Sequence, residues 1–412
     1  MNARTVRHAA ALLSFAPVVA GAQHNLASLQ QYQLDAGHSI FEFSIGFAFS
    51  HVKGRFTDPK GSIIYDPANP ENSSVTIVAP SKSLDTGWGN RDRHLKTSDF
   101  FDVEQFPTVM FQSTRLRRNG KDWLMDGNLT MHGVTRAMTL PLVLPAPRRS
   151  PESGWMILTA TSTFKLARKD FGITGGGKYN PWFSAARQAT MSDSVDVSVE
   201  AEGWWADASS QGTAVQGALN RVKTLGVQAQ IDTVKRRLSA IPDSVLMDYF
   251  SGADLLVREV LEEDPAKAVQ LASAWPAVFK GSRTYAIYGH ALAVSGDTAG
   301  ASKQYAEAMR LFKRKAPDPN EKFPQDDPEW YWLDNLVRSS LERGHVAAAL
   351  GLARYAAEMF PDIARSQATY GWALALSGNT KAAADQFARA LQADPNDTRA
   401  IEYSRRVRET KG

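Results

Sequence analysis

Hydrophobic and polar residues alternate with a period of two from Tyr32 to about Trp205. The alternation is clearest near residue 200, where the apolar positions are Val195, Val197, Val199 and Ala201 and the intervening ones are polar. Residues 41–45, 74–79, 108–114 and 140–144 show the same pattern. Strands with one apolar and one wet face produce it. Roughly eight such strands, separated by turn residues, predict a closed antiparallel barrel or a sandwich.

The pattern changes near Trp205. Residues 206–217, ADASSQGTAVQG, are small and polar and are predicted to form a linker. Beyond them the apolar residues recur at helical spacing, as at Leu219, Val222 and Leu225. We therefore predict a β-domain over 23–205 and an all-α domain over 218–412.

The helical half repeats itself, and one constant spacing separates Gly344 from Gly378 and Pro361 from Pro395. This spacing, with small residues at predicted helix crossings, resembles the tetratricopeptide repeat. The middle unit departs from the pattern because Val337 replaces the glycine of its first helix. The predicted units are 282–315, 330–363 and 364–397, and residues 244–281 are compatible with one more degenerate pair.

Stacked units of this kind bury faces that no single unit buries alone, and they leave a concave surface. The usual occupant of that surface is a peptide or a partner protein, so we expect the helical domain to bind a protein. The alternative is a purely structural appendage.

Two arginines, Arg4 and Arg7, lie near the N-terminus. They are followed by an apolar run from Ala9 to Ala20 and a small-residue cleavage pattern. Residues 1–22 are therefore predicted to be a secretory signal peptide, which places the mature protein in the periplasm. No segment has the length of apolar sequence needed to span a membrane. With 47 basic and 43 acidic residues the charge is nearly balanced, which gives no reason to expect nucleic-acid binding.

Candidate chemistry is concentrated in residues 90–107, NRDRHLKTSDFFDVEQFP, which place His94 among three aspartates. Paired-histidine zinc spacing, nucleophile elbows and phosphate loops are absent from the sequence, and the chain has no cysteine to supply a thiolate ligand. Two interpretations remain: a polar helical corner at one end of the barrel, which the capping residues favour, or an enzyme that uses His94 or His132.

Ordered motifs in the first half resemble the YceI family. They include RDRHL (91–95), SDFFDV (98–103), GNLTMHGVT (127–135) and KDFGI (169–173), and the resemblance covers about 32–203. It implies an exported, lipocalin-like, eight-stranded barrel that holds a long isoprenoid, such as a quinone or polyprenyl lipid, or another long-chain amphiphile. It implies neither an enzymatic activity nor a metal or cofactor other than the bound lipid.

An eight-stranded barrel is just wide enough to be filled by its own side chains or to hold one slim ligand. The predicted inward residues are uncharged: Phe41, Phe43, Ile45, Val75, Ile77, Val109, Phe111, Leu140, Leu142, Val195, Val197 and Val199. A second set is predicted at the rim of the cavity: Arg91, Asp92, His94, Trp182 and Phe183. We therefore expect a periplasmic lipid-binding protein with repeats for a protein partner. The alternative is a scaffold whose barrel is structural and whose repeats alone bind the partner.

Overall fold

The computed structural model describes residues 26–150, 155–175, 190–205, 213–239, 241–242, 250–312 and 328–409. Residues 30–205 form an antiparallel β-domain, as the alternation predicts. Its strands are β1 (Gln30–Leu34), β2 (Ile40–Phe47), β3 (Ser50–Phe56), β4 (Lys60–Tyr65), β5 (Ser74–Pro80), β6 (Leu84–Asp85), β7 (Thr108–Asn119), β8 (Asp122–Met131), β9 (Val134–Leu142), β10 (Arg148–Arg149), β11 (Met156–Ala167) and β12 (Met191–Trp205). A short helix, α1 (Gly89–Leu95), connects β6 to the loop before β7.

The prediction of eight strands closed into a barrel is wrong in both respects. Among the described residues the sheet has 12 strands, in the order β6-β3-β2-β12-β1-β4-β5-β7-β8-β9, with β11 on the other edge of β12 and β10 beside β11. In these residues the strand pairing does not close, because β9 and β11 form no ladder and the backbone pairing between them is an isolated bridge from Val143, just after β9, to Thr161. The sheet nevertheless curves round an interior.

The larger strand number has a local cause. The chain bends at residues 35–39, so the same edge of β12 pairs with β2 along the first part of β12 and with β1 near the end of β12. In addition, β6 and β10 contain two residues each, which is too short to show an alternation.

The second half is helical in the part that the structure describes, as predicted. Its helices are α2 (Thr213–Leu225), α3 (Val227–Leu238), α4 (Phe250–Glu263), α5 (Pro265–Ala274), α6 (Ser282–Val294), α7 (Thr298–Leu311), α8 (Pro328–Glu342), α9 (Val346–Met359), α10 (Ala364–Leu376), α11 (Thr380–Ala393) and α12 (Thr398–Glu409). The predicted linker, 206–217, is too long, because α2 begins within it at Thr213. Residues 206–212 and the predicted signal peptide lie outside the described residues. Within the described ranges, none of the helices combines the length and apolar character that crossing a membrane requires.

The same close contact between paired helices occurs within two of the predicted repeat units. A Cβ atom built on Gly371 in α10 would lie 2.6 Å from the ring of Phe387 and 3.2 Å from the carbonyl oxygen of Ala383 in α11. At Gly289 in α6 the corresponding distance to the ring of Tyr305 is 2.8 Å. Glycine is therefore needed because an aromatic ring of the second helix lies against the backbone of the first.

The middle unit reaches the same packing by exchanging volumes. Val337 occupies the position equivalent to Gly371 one repeat earlier, and Ala353 occupies the position equivalent to Phe387. Both side chains are buried in the helical core. The large residue has moved from the second helix to the first, which keeps the total core volume similar.

This exchange predicts a coupling between positions 371 and 387. Gly371→Val alone should destabilise the protein by about 1–3 kcal/mol through overpacking, and Phe387→Ala alone by about 3–5 kcal/mol through a cavity. The double variant recreates the middle unit, so its loss in the free energy of unfolding should be clearly smaller than the sum. Urea denaturation of the four proteins measures this, and simple additivity would contradict the volume exchange.

The helical region packs against the outside of the β-domain, where α12 lies on β4 and β5. Glu402 in α12 is fully buried and accepts hydrogen bonds from the hydroxyls of Ser74 (2.8 Å) and Thr76 (2.5 Å) on β5. Arg405 pairs with the same carboxylate at 2.8 Å. The hydroxyls of Ser62 in β4 and Thr398 are 2.8 Å apart. The buried charge is thus compensated from both domains.

Strand β1 makes a second set of contacts with the helices. Arg338 in α8 donates to the carbonyl oxygen of Gln31, and Tyr403 in α12 donates to the Gln31 side chain. Arg399 is 3.5 Å from the Gln33 amide oxygen. The β-domain therefore covers a face to which both α8 and α12 contribute.

A buried ionic cluster joins the helices behind this contact. Arg399 donates to Asp334 in α8 at 2.5 Å and to Thr369 in α10 at 2.9 Å. Burial alone would raise the pKa of Asp334, but Arg399 and Arg338 hold that pKa below its usual range. The docking surface is consequently fixed by three helices together.

The interface predicts a large penalty for Glu402→Ala. Removing the carboxylate leaves the hydroxyls of Ser74 and Thr76 without their acceptor and takes one of the acceptors of Arg405, which should cost about 3–5 kcal/mol. Because the lost contacts join the domains, calorimetry should show the β-domain and the helices melting separately. The matched control is Glu358→Ala in α9, whose 54% exposed side chain pairs with the exposed Arg354 and which should remain close to wild type. Equal effects of the two substitutions would contradict the assignment.

Candidate functional site

The β-domain encloses a cavity of about 730 Å³. All twelve residues that the alternation places inward line it: Phe41, Phe43, Ile45, Val75, Ile77, Val109, Phe111, Leu140, Leu142, Val195, Val197 and Val199. On β12 the intervening residues Asp196, Ser198 and Glu200 are exposed on the outer face, whereas on β5 the intervening Ser74 and Thr76 are buried. The interior wall is therefore overwhelmingly apolar.

One wall of the cavity was not predicted from the sequence. Alternate residues of β11 line it: Leu158, Ala160, Ser162, Phe164 and Leu166. The period of two is present there, but two of the five positions carry small residues and threonines fill much of the other face, so the contrast in hydrophobicity is weak.

Two glycines keep the middle of the cavity open. A Cβ atom on Gly54 would lie 2.4 Å from the ring of Phe43, and one on Gly127 would lie 2.4 Å from the ring of Phe111. Phe43 and Gly54 are direct cross-strand partners. Each phenylalanine ring therefore lies over the glycine of the neighbouring strand. A larger residue at that glycine position would push the ring into the cavity.

The cavity is closed at one end. Tyr65, Leu116, Leu142 and Leu158 line it there and are all buried. Next to them, Trp205 contacts Tyr32 at a ring distance of 5.8 Å and donates its indole N–H to Glu342 of α8. The helical region thus packs near the closed end.

The other end is open among the described residues. The lining residues Ser50, His51, Trp88 and Asn90 are exposed to solvent and come from the β2–β3 hairpin and from α1 with the residue before it. Ser50, His51 and Asn90 give this mouth a polar rim. The lining is otherwise mostly apolar, and its further polar members include Glu42, Ser73, Ser74, Ser162 and Arg168.

The 90–107 segment forms the predicted corner beside this mouth. Asp92 accepts hydrogen bonds from the backbone N–H and the hydroxyl of Thr86, at 2.9 and 2.5 Å. His94 Nε2 is 2.9 Å from a carboxylate oxygen of the buried Asp99, and the His94 ring meets Phe100 edge-on at 5.2 Å. These contacts fix α1 as part of the wall.

The predicted rim set is only partly at the rim. Arg91 and His94 line the cavity, whereas Asp92 is turned towards Thr86. Trp182 and Phe183 lie outside the described residues. The other candidate histidine, His132, places Nδ1 3.0 Å from the carbonyl oxygen of Phe171. Its contacts therefore join the β8–β9 turn to the segment after β11.

A separate cluster at the bend between β1 and β2 has the composition of a cation site. Asp35, His38 and Glu202 place their ligand atoms within 4.8 Å of one another. Asp35 Oδ1 accepts from the backbone N–H of Gly37, and Oδ2 lies 2.9 Å from His38 Nδ1. That hydrogen bond raises the pKa of His38. The same contacts also stabilise the bend itself.

The family model for the YceI-like domain matches residues 32–203, which run from β1 to the end of β12. A UPF0312 protein of Pseudomonas paraeruginosa is 36% identical over 151 residues, which are 36% of this chain and 78% of that protein. A UPF0312 protein of Yersinia enterocolitica is 35% identical over 148 residues, covering 35% of this chain and 76% of the relative. Through its first domain the chain belongs to the YceI-like family. The resemblance seen in the motifs is thereby confirmed for the β-domain.

Solved structures also match part of the chain. BcnA of Burkholderia cenocepacia is 18% identical, with a TM-score of 0.36, and the match covers 41% of this chain and 98% of BcnA. A polyisoprenoid binding domain from Saccharophagus degradans is 17% identical, with a TM-score of 0.33, over 42% of this chain and 98% of that domain. The helical region lies beyond the residues that the YceI-like family model matches.

The glycine beneath Phe43 predicts how the cavity can be narrowed. Gly54→Ala should push the Phe43 ring into the interior and weaken the binding of an apolar dye, N-phenyl-1-naphthylamine, several-fold. Gly46→Ala on the paired strand is the matched control, because its new Cβ atom would meet only Ser192 at 3.4 Å. Fluorescence titration measures both variants, and equal dye affinity would show that the Phe43 ring does not control the free volume.

Proposed function

We propose that the YceI-like domain binds one long-chain amphiphile of the isoprenoid class, such as a quinone or a polyprenyl lipid. The observation that carries the proposal is the cavity, whose wall is mostly apolar and whose open end carries exposed polar side chains such as Ser50, His51 and Asn90. Its volume of about 730 Å³ lies within the range of roughly 300–1,000 Å³ typical of ligand pockets.

The physical driving force is burial of the ligand chain. Each methylene-sized group moved from water into an apolar interior contributes roughly 0.8 kcal/mol. A prenyl chain also has the slim cross-section that an interior edged by Phe43, Phe111 and Phe164 can accept. A polar head group would remain at the mouth beside His51, Asn90 and Arg91, where exposed side chains can hydrogen-bond to it.

This proposal assigns no catalytic role to His94 or His132. His94 contacts Asp99 and Phe100 of the corner. His132 contacts Phe171 and packs on Phe106 of the corner at a ring distance of 4.5 Å, so both histidines have structural contacts. The protein is therefore proposed as a carrier or sensor and not as an enzyme. Residues 1–22 are proposed to direct its export to the periplasm, which mass determination of the mature protein from that compartment would test.

The helical pairs are proposed to be tetratricopeptide-like repeats. Support comes from the constant spacing of the repeated glycines and prolines and from the glycine–aromatic contact that recurs in two units. Because the β-domain covers part of α8 and α12, a protein partner would have to use another face of the array. The same docking argues against a scaffold whose repeats act independently of the β-domain.

The lipid proposal predicts that blocking the cavity removes the ligand. Val197→Trp places a bulky side chain inside, and Ser198→Trp places the same side chain on the exposed outer face of β12. Solvent extraction and mass spectrometry should find close to one amphiphile per molecule in wild type and in Ser198→Trp, and much less in Val197→Trp at a similar melting temperature. Three empty proteins, or equal lipid in all three, would refute the proposal.

A further inference from the structure

Two large exposed side chains lie at the open end of the cavity. Phe49, at the tip of the β2–β3 hairpin, is fully exposed at 107%, and Trp88, just before α1, is 59% exposed. Trp88 also lines the cavity, as do Phe47 and Ser50 on either side of the tip. Two large apolar side chains are therefore exposed beside the polar groups of the rim.

Strand pairing places these two aromatic residues at the same end. Strand β6 pairs with the end of β3, Asp85 opposite Arg55, so the chain after Asp85 runs antiparallel to β3 towards the hairpin tip. Thr86 already lies beside Gly54, because a Cβ on that glycine would be 2.8 Å from the threonine methyl. Trp88 lines the same cavity as Phe47 and Ser50 of the hairpin, which places it at the same mouth as the hairpin tip.

The hairpin tip is held firmly. Ala48 has a φ of 52°, which L residues rarely adopt, and its backbone N–H donates to the carbonyl oxygen of Thr190 at 2.9 Å. The Ser50 hydroxyl donates to the carbonyl oxygen of Phe47 at 3.3 Å. The exposure of Phe49 is therefore a consequence of a built turn and not of a loose loop.

We propose that this end docks on a lipid bilayer, with Phe49 and Trp88 inserted at its surface, so that the ligand passes between membrane and cavity without crossing water. This inference rests on the proposed function and adds the route by which the ligand enters. Aromatic side chains are favoured at the membrane–water interface, and Trp is especially suited because its indole combines an apolar body with a polar N–H.

The side chains proposed to enter the membrane are uncharged. Trp88 lies near the Arg91 guanidinium, which is 5.6 Å from the centre of the Trp88 ring, and Arg91 donates to the Thr86 hydroxyl at 2.7 Å. Because the inserted groups carry no charge, binding should occur on neutral phosphatidylcholine vesicles and should change little with added salt.

The test compares Phe49→Ser with Ile40→Ser in the full-length mature protein. Both residues are exposed and lie at or next to opposite ends of β2, and neither lines the cavity. Flotation with phosphatidylcholine vesicles, and the rate of transfer of a long-chain quinone between vesicles, should both fall by roughly tenfold in Phe49→Ser, the size expected for withdrawing one large apolar side chain from a membrane. Ile40→Ser should match wild type, and the lipid content of both purified variants should be unchanged.

The outcomes separate this inference from the proposed function. If wild type carries lipid but Phe49→Ser binds vesicles and transfers quinone as fast as wild type, docking through the hairpin tip is refuted and lipid binding stands. If wild-type protein carries lipid but does not bind vesicles, membrane docking is also refuted and a protein donor is indicated. If wild type carries no lipid yet floats with vesicles through Phe49, the docking stands and the carrier function fails.

Discussion

The arrangement of the whole chain depends on one buried carboxylate. Glu402 in the last helix accepts hydrogen bonds from Ser74 and Thr76 on β5, where no solvent reaches it. On the same strand, Val75 and Ile77 line the cavity. Because side chains alternate across a strand, β5 provides the inner wall of the ligand cavity with one face and the docking surface for the helices with the other.

This constraint determines which surfaces remain available. The helices are anchored to β1, β4 and β5 and to Trp205 near the closed end, so within the described residues they leave the opposite end, with Phe49 and Trp88, uncovered.

The two domain classes, the inward residues and the family could be predicted from sequence because each depends on a strong local pattern. The alternation of Val195, Val197 and Val199 defines a wall whichever strands lie beside it. Strand number and closure could not be predicted, since they depend on the bend at residues 35–39 and on two-residue strands. The interdomain contact could not be predicted either. In the sequence Ser74 and Thr76 are typical of a solvent-exposed strand face, and their partner Glu402 is more than 300 residues away.

The 90–107 segment shows the limit of reading chemistry from composition. A histidine among aspartates suggested catalysis. In the structure Asp92 accepts a hydrogen bond from Thr86 and Asp99 pairs with His94, and both contacts position α1 beside the mouth. The most direct test of the lipid-carrier function is a crystal structure of the protein purified with its native lipid. We expect continuous ligand density along Phe43, Phe111 and Val197, with the head group beside His51 and Trp88. An interior that contains only water, or a ligand bound outside the β-domain, would contradict it.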